Sequence, residues 1–188
     1  MTIVQYIYRY VSDQIDIDVP LPFATHERSF DKNEVITAFG QVESQAYYLM
    51  EGLVEISLLE DGQEKIIDFF SPYCFFSSYT SFLTQAPSDA QVVALANCRT
   101  EVIAYDDLQR AYRSSLLANQ LGRYVTEQLY INRIRREKEF LTKSAEQRYR
   151  VFLDERPDLV SQVPVHKIAK YLGIHPESLS RIRKQITF

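Results

Sequence analysis

The side chains best suited to recognising another molecule lie between Lys167 and Lys184. At helical spacing His175, Glu177, Ser178, Arg181 and Lys184 share one face, with Arg183 on its flank and Pro176 at its start. An arginine can bind a guanine edge through two hydrogen bonds, and a glutamate can accept from the cytosine amino group. Lys167, Lys170, Arg183 and Lys184 suit phosphate contacts, which position a duplex without reading its sequence. The neighbouring residues supply a scaffold. Ile168, Ala169 and Leu172 give a short first helix an apolar face, and Leu179 and Ile182 do the same for a second. Small Ala169 lets the two cross closely. Gly173 falls where the chain must turn, in the left-handed region that glycine enters cheaply. Pro176 fits the first turn of the second helix, where a missing N–H costs nothing. This is the spacing of a helix-turn-helix, whose second helix enters the major groove. A generic αα-hairpin in a helical subdomain is the alternative.

Other chemistry is thinly supplied. Cys74 and Cys98 cannot build a disulfide scaffold or a four-thiolate metal site. His26, His166 and His175 show no metal-ligand spacing. There is no G-x-S-x-G, P-loop, H-E-x-x-H or Gly-rich dinucleotide turn. No catalytic residue, metal site or cofactor is therefore expected, and the chain does not read as an enzyme. Cys74, among Tyr73, Phe75 and Phe76, reads as a small buried hydrophobe rather than a redox sensor, and Cys98 falls in a turn that leaves its exposure open. The 13 tyrosines and 11 phenylalanines read as barrel core rather than base-stacking platforms.

The elements that must position these residues follow from periodicity. Ile3, Val4, Ile7, Tyr8, Val11 and Ile15 form one stripe of an amphipathic helix ending before Pro20 and Pro22. From about Ser29 to Tyr105 the period shortens. Val54, Ile56 and Leu58 alternate with Glu55, Ser57 and Leu59, the pattern of a half-buried strand. Asp61 and Gly62 follow, a strong hairpin signal, because a type I′ turn needs two residues tolerant of positive φ. A return strand covers Lys65–Phe70, with Ile67 and Phe69 flanking Asp68. Val92–Ala96 and Glu101–Tyr105 are further strands, and Gly40 and Gly52 are turn positions. Many short strands separated by turns predict a β-roll or jelly-roll.

Helical periodicity resumes at Asp106, the expected N-cap, and breaks near Ser114. A long helix then spans about 115–142, in which Leu117, Leu121, Tyr124, Gln128 and Ile131 have the spacing of a coiled-coil seam. A dimer seam and a helix packed on its own barrel both account for that stripe. Ser144 and Gln147 have the form of a capping box, so a new helix starts there, ends at Pro157, and leads by a short connection to Pro164. Two domains are expected, 1–143 and 144–188.

The chain has 188 residues, 46% hydrophobic and 24% charged, which excludes disorder and leaves room for one large domain or two small ones. No apolar run reaches the roughly 18 residues of a membrane span, and the first twenty residues lack the features of a signal peptide. The chain reads as soluble and cytoplasmic. The net charge of −4 argues globally against nucleic acid, but it is unevenly spread. Residues 1–143 hold 13 basic against 20 acidic residues, whereas residues 144–188 hold 8 against 5. A polyanion would be met by the last quarter of the chain; a chance imbalance on solvated faces is the alternative.

An N-terminal helix, a β-roll, a long helix and a terminal helix-turn-helix together resemble the Crp/Fnr family of bacterial transcription regulators. The resemblance covers nearly the whole chain, and Pro176-Glu-Ser-Leu-Ser-Arg-Ile-Arg-Lys184 is its most specific element. It implies an α+β fold with a cyclic-nucleotide-binding-like sensor domain, a homodimer paired along the long helix, and double-stranded DNA and RNA polymerase as partners. It places base reading on Glu177 and Arg181. Pro176 stands where the family often has an arginine, so the family's DNA consensus does not carry over. The chain's last residue, Phe188, leaves no room for the β-hairpin wing of many relatives.

The family's nucleotide cassette, a Gly-Glu followed by Arg-Ser/Thr-Ala, falls on Ser77, Ser78, Ser88, Asp89 and Ala90, with Tyr79 and Tyr124 beside it. The phosphate-pairing arginine is missing. Asp89 would face a phosphate with a like charge, a repulsion of roughly 4 kcal/mol at about 4 Å and an effective dielectric near 20. These residues argue against cyclic AMP and leave a different, less anionic small-molecule effector, or none. Two distant cysteines also exclude the family's iron–sulfur switch. A second reading is a ligand-sensing or protein-interaction module whose helical head does not bind DNA, consistent with the acidic body and short C-terminus.

Overall fold

A computed structural model describes residues 1–12 and 20–186; Ile15 of the predicted first stripe and the terminal Phe188 lie outside them. The chain divides by internal packing into two compact units, Met1–Ile56 with Phe69–Leu129, and Ser57–Asp68 with Tyr130–Phe188.

The first unit opens with α1 (Ile3–Tyr10), whose apolar stripe buries Ile3, Tyr6 and Ile7. Thr2 and Gln5 close a capping box at its start, and Glu101 accepts the Ile3 amide at 2.6 Å. These contacts satisfy amides that a helix start leaves without partners. Among the described residues eight strands follow along the chain, with residues 57–68 of β4 and β5 counted in the second unit: β1 (His26–Phe30), β2 (Val35–Thr37), β3 (Gln45–Glu51), β4 (Val54–Glu60), β5 (Gln63–Phe70), β6 (Cys74–Phe76), β7 (Ala90–Ala94) and β8 (Cys98–Ala104). They form two four-stranded sheets in the orders β1-β8-β3-β6 and β2-β7-β4-β5, the predicted β-roll. Gly40 and Gly52 lie between strands as expected. Asp61 and Gly62 both have positive φ, 50° and 74°, as the predicted turn requires. A short α2 (Tyr79–Thr84) precedes β7, and α3 (Tyr105–Ser114) follows β8.

Several local expectations need correction. Glu55 and Ser57 are buried like Val54 and Ile56, because both faces of β4 are covered there; only its tip, from Leu59 on, is exposed. In β5 the buried residues are Ile66 and Phe69, with Ile67 half-buried. Asp106 is not the N-cap of α3. Ala104, still extended at the end of β8, takes that position, and Asp106 and Asp107 fall in the first turn, where carboxylates favour the helix dipole. Cys98 is buried at the start of β8, donating its thiol to Leu53 and Ala96 carbonyls, whereas Cys74 is the half-buried one.

After the break at Ser115, α4 (Leu116–Thr142) runs for 27 residues, about 40 Å at 1.5 Å per residue. The second unit adds α5 (Ala145–Glu155), with the predicted Ser144–Gln147 capping box formed in both directions. The expected connection after Pro157 is instead a helix, α6 (Pro157–Gln162), started by proline at its first turn and buried through Leu159. The chain ends in α7 (Val165–Tyr171) and α8 (Pro176–Ile186).

Candidate functional site

The turn between α7 and α8 is built as its residue types dictate. Gly173 adopts φ 67°, its amide reaches the Lys170 carbonyl at 3.2 Å, and the Ile174 amide reaches that of Ala169 at 3.0 Å. This paired closure is the Schellman motif, with glycine in the left-handed position. Ile168, Ala169, Leu172 and Leu179 are buried and Ile182 is half-buried, so the apolar faces meet as predicted. His175, Glu177, Ser178, Arg181 and Lys184 are then left exposed, with Pro176 and Arg183 half-exposed. The outward face read from the sequence exists as one surface of α8.

Two arginines that the sequence reading did not single out secure this head. Arg136 donates to the Tyr171 carbonyl at 2.8 Å and Arg148 to that of Leu172 at 3.1 Å, the last carbonyls of α7. A cation there satisfies orphan acceptors and opposes the negative end of the helix dipole. Arg148 also donates to the Lys143 carbonyl just past the end of α4, at 2.8 Å. The guanidinium of Arg136 lies 3.8 Å from the Tyr171 ring centroid, and that of Arg148 lies 4.7 Å from the Phe140 centroid. Burial holds Arg136 below its ordinary pKa, partly offset by Tyr171 and Asp68. Lys167 and Lys170 are half-buried rather than free on the surface. Lys170 Nζ lies 2.6 Å from Glu64 and Lys167 Nζ lies 4.0 Å from it.

The residues at the nucleotide cassette are placed differently from one another. Ser77, Ser78 and Ser88 are buried and Asp89 is exposed. The Ser78 and Ser88 hydroxyls bond to each other at 2.6 Å, Ser88 also accepts the Ala90 amide at 3.1 Å, and Ser77 donates to the Gln45 carbonyl at 3.0 Å. Tyr79 bonds Thr126 of α4 through their hydroxyls at 2.9 Å. Tyr124 stacks against Tyr10 and meets Tyr6 edge-on. In the seam stripe, Leu121 is buried in its own core, with Leu117 and Tyr124 packed against that core, while Gln128 and Ile131 are exposed. Leu116, Tyr130, Phe140 and Leu141 of the same helix are also exposed. Among the described residues no group of three or more His, Cys, Asp or Glu could hold a metal ion, and no helix is long and apolar enough to cross a membrane.

The architecture is α+β, with a β-roll of antiparallel strands of the cyclic-nucleotide-binding kind followed by helices. Residues 27–115 match the family profile described as Cyclic nucleotide-binding domain. Solved structures share the fold. FixK2 from Bradyrhizobium japonicum superposes with a TM-score of 0.72 at 22% identity, covering 87% of this chain and 85% of that one. The c-di-GMP responsive global regulator CLP of Xanthomonas campestris gives 0.69 at 20% identity, over 87% and 86%. A CRP/FNR-family transcriptional regulator from Thermus thermophilus gives 0.68 at 17% identity, over 86% of each chain. No protein of curated function matches the sequence.

Proposed function

We propose that this protein is a homodimeric, sequence-specific DNA-binding transcription regulator of the Crp/Fnr type. The observation that carries the reading is the exposed face of α8, where Glu177, Ser178, Arg181 and Lys184 project from a helix fixed by a Schellman turn. Glu177 and Arg181 are base readers in this reading, assisted by His175, Pro176 and Ser178. Lys167, Lys170, Arg183 and Lys184 meet phosphates. The fold shared with solved CRP/FNR regulators supports it. Pairing would run along α4, and double-stranded DNA and RNA polymerase are its partners.

In this reading the sensor residues Ser77, Ser78, Tyr79, Ser88, Asp89 and Tyr124 do not suit a cyclic nucleotide. The Ser78 and Ser88 hydroxyls are bonded to each other, the Ser77 hydroxyl to the Gln45 carbonyl, and Asp89, not a cation, follows Ser88. Any effector in this reading belongs to a less anionic class than cyclic AMP. Electrophoretic shift with duplexes from the region upstream of the protein's own gene tests the assignment. A discrete, competitor-resistant complex is expected, and uniformly weak binding to every duplex contradicts sequence reading.

A further inference from the structure

The two lysines assigned to phosphate already hold an anion within the protein. Lys170 and Lys167 lie three residues apart on α7, and both address the carboxylate of Glu64, at 2.6 Å and 4.0 Å. Glu64 stands on β5 just after the Asp61–Gly62 turn. The same strand offers the Ile66 carbonyl to Arg136 at 3.2 Å and the Asp68 carboxylate to Arg156 at 2.6 Å. The side chains of Glu64 and Asp68 fall on one face of the strand, while the Ile66 link is made by its backbone carbonyl. Burial disfavours the Glu64 carboxylate, but the Lys170 hydrogen bond and the Lys167 charge outweigh it and keep its pKa below the ordinary value. The carboxylate is thus ionised at neutral pH.

A carboxylate and a phosphate ask for the same ammonium donors. A phosphate brought to Lys170 while Glu64 remains beside it meets a like charge, so one anion must leave. We propose that Glu64 is a built-in phosphate mimic that occupies the Lys167–Lys170 subsite until a DNA backbone displaces it. Anything that draws the β4–β5 hairpin away from α7 then strengthens DNA binding without touching the base-reading face. This inference rests on the DNA-binding reading above and adds a means of regulating it.

Fluorescence anisotropy of the full chain with a labelled mixed-sequence duplex of about 30 base pairs, titrated across salt concentrations, tests the idea. Glu64→Gln, nearly the same shape, is expected to bind about two- to fivefold more tightly per protomer, the worth of a partly exposed ion pair. Its plot of log affinity against log salt should steepen by about one unit per protomer. Adding Lys170→Ala to Glu64→Gln should remove most of that gain. Equal affinity and slope for wild type and Glu64→Gln, with unchanged melting, overturns the mimic and leaves the DNA reading standing. Failure of both to bind duplex at low salt overturns both. Should Glu64→Gln not fold, Glu64→Asp, which shortens the reach, must show a smaller gain of the same sign, and no gain overturns the mimic.

Discussion

Glu43 shows how a single buried carboxyl sets a pH response. It is 1% exposed, and its oxygens accept from the Thr37 hydroxyl, the Gln45 amide at 2.9 Å and the Tyr47 hydroxyl at 3.5 Å. Burial raises its pKa above the ordinary value, although these hydrogen bonds act the other way. A raised folded-state pKa means that the fold prefers the protonated form. The stabilising contribution is complete below the unfolded-state pKa of about 4.3 and is lost as pH rises through the raised value. Glu43→Gln keeps the shape without the charge. Urea unfolding between about pH 4 and 8 should show its stability falling less with pH than that of wild type. At the recognition face, Arg181→Ala should cost roughly 1–3 kcal/mol of operator affinity and relax the preference at one base pair, read by binding to a panel of single-base variants. An equal loss on every duplex would make Arg181 a phosphate contact instead.

The elements that hold those residues carry their own tests. A Cβ at Gly173 would lie 2.9 Å from the Phe140 ring, on a backbone that non-glycine residues avoid at about 1–2 kcal/mol. Gly173→Ala should lower the melting temperature and weaken specific DNA binding together. Ser144→Ala opens the capping box of α5 and should cost about 1 kcal/mol by chemical denaturation. Both features were readable in advance because they are local: a glycine after an apolar triplet and a serine three residues before a glutamine. What escaped was set by residues distant in sequence. Alternation in β4 predicts an exposed Glu55, and only the packing of both strand faces buries it. Arg136 and Arg148 look like ordinary helix-surface cations until the end of α7 is brought to them. Lys167 and Lys170 read as free cations because their partner lies about a hundred residues earlier. Pro157 reads as a stop, although proline at a first turn starts a helix equally well.

At the level of the whole molecule, the reading requires two copies. The first half of the α4 stripe is used within its own core, so a seam must draw on the exposed part, where Tyr130, Ile131 and Leu141 lie. Replacing Tyr130 and Ile131 together by glutamate should yield a monomer in sedimentation and abolish specific binding. Intact dimers should protect two half-sites whose centres are about 10 base pairs, or about 34 Å, apart. The unequal burial of the two thiols also gives the chain a spectroscopic handle. A maleimide dye should attach to half-buried Cys74 well before buried Cys98, as peptide mass mapping would show. Cys74 pairs with Leu49 across the sheet, and the next residue, Phe75, packs against Tyr6 and Tyr48. Its emission would therefore register rearrangement of those rings when a candidate metabolite is added, turning the native sequence into its own screening reagent.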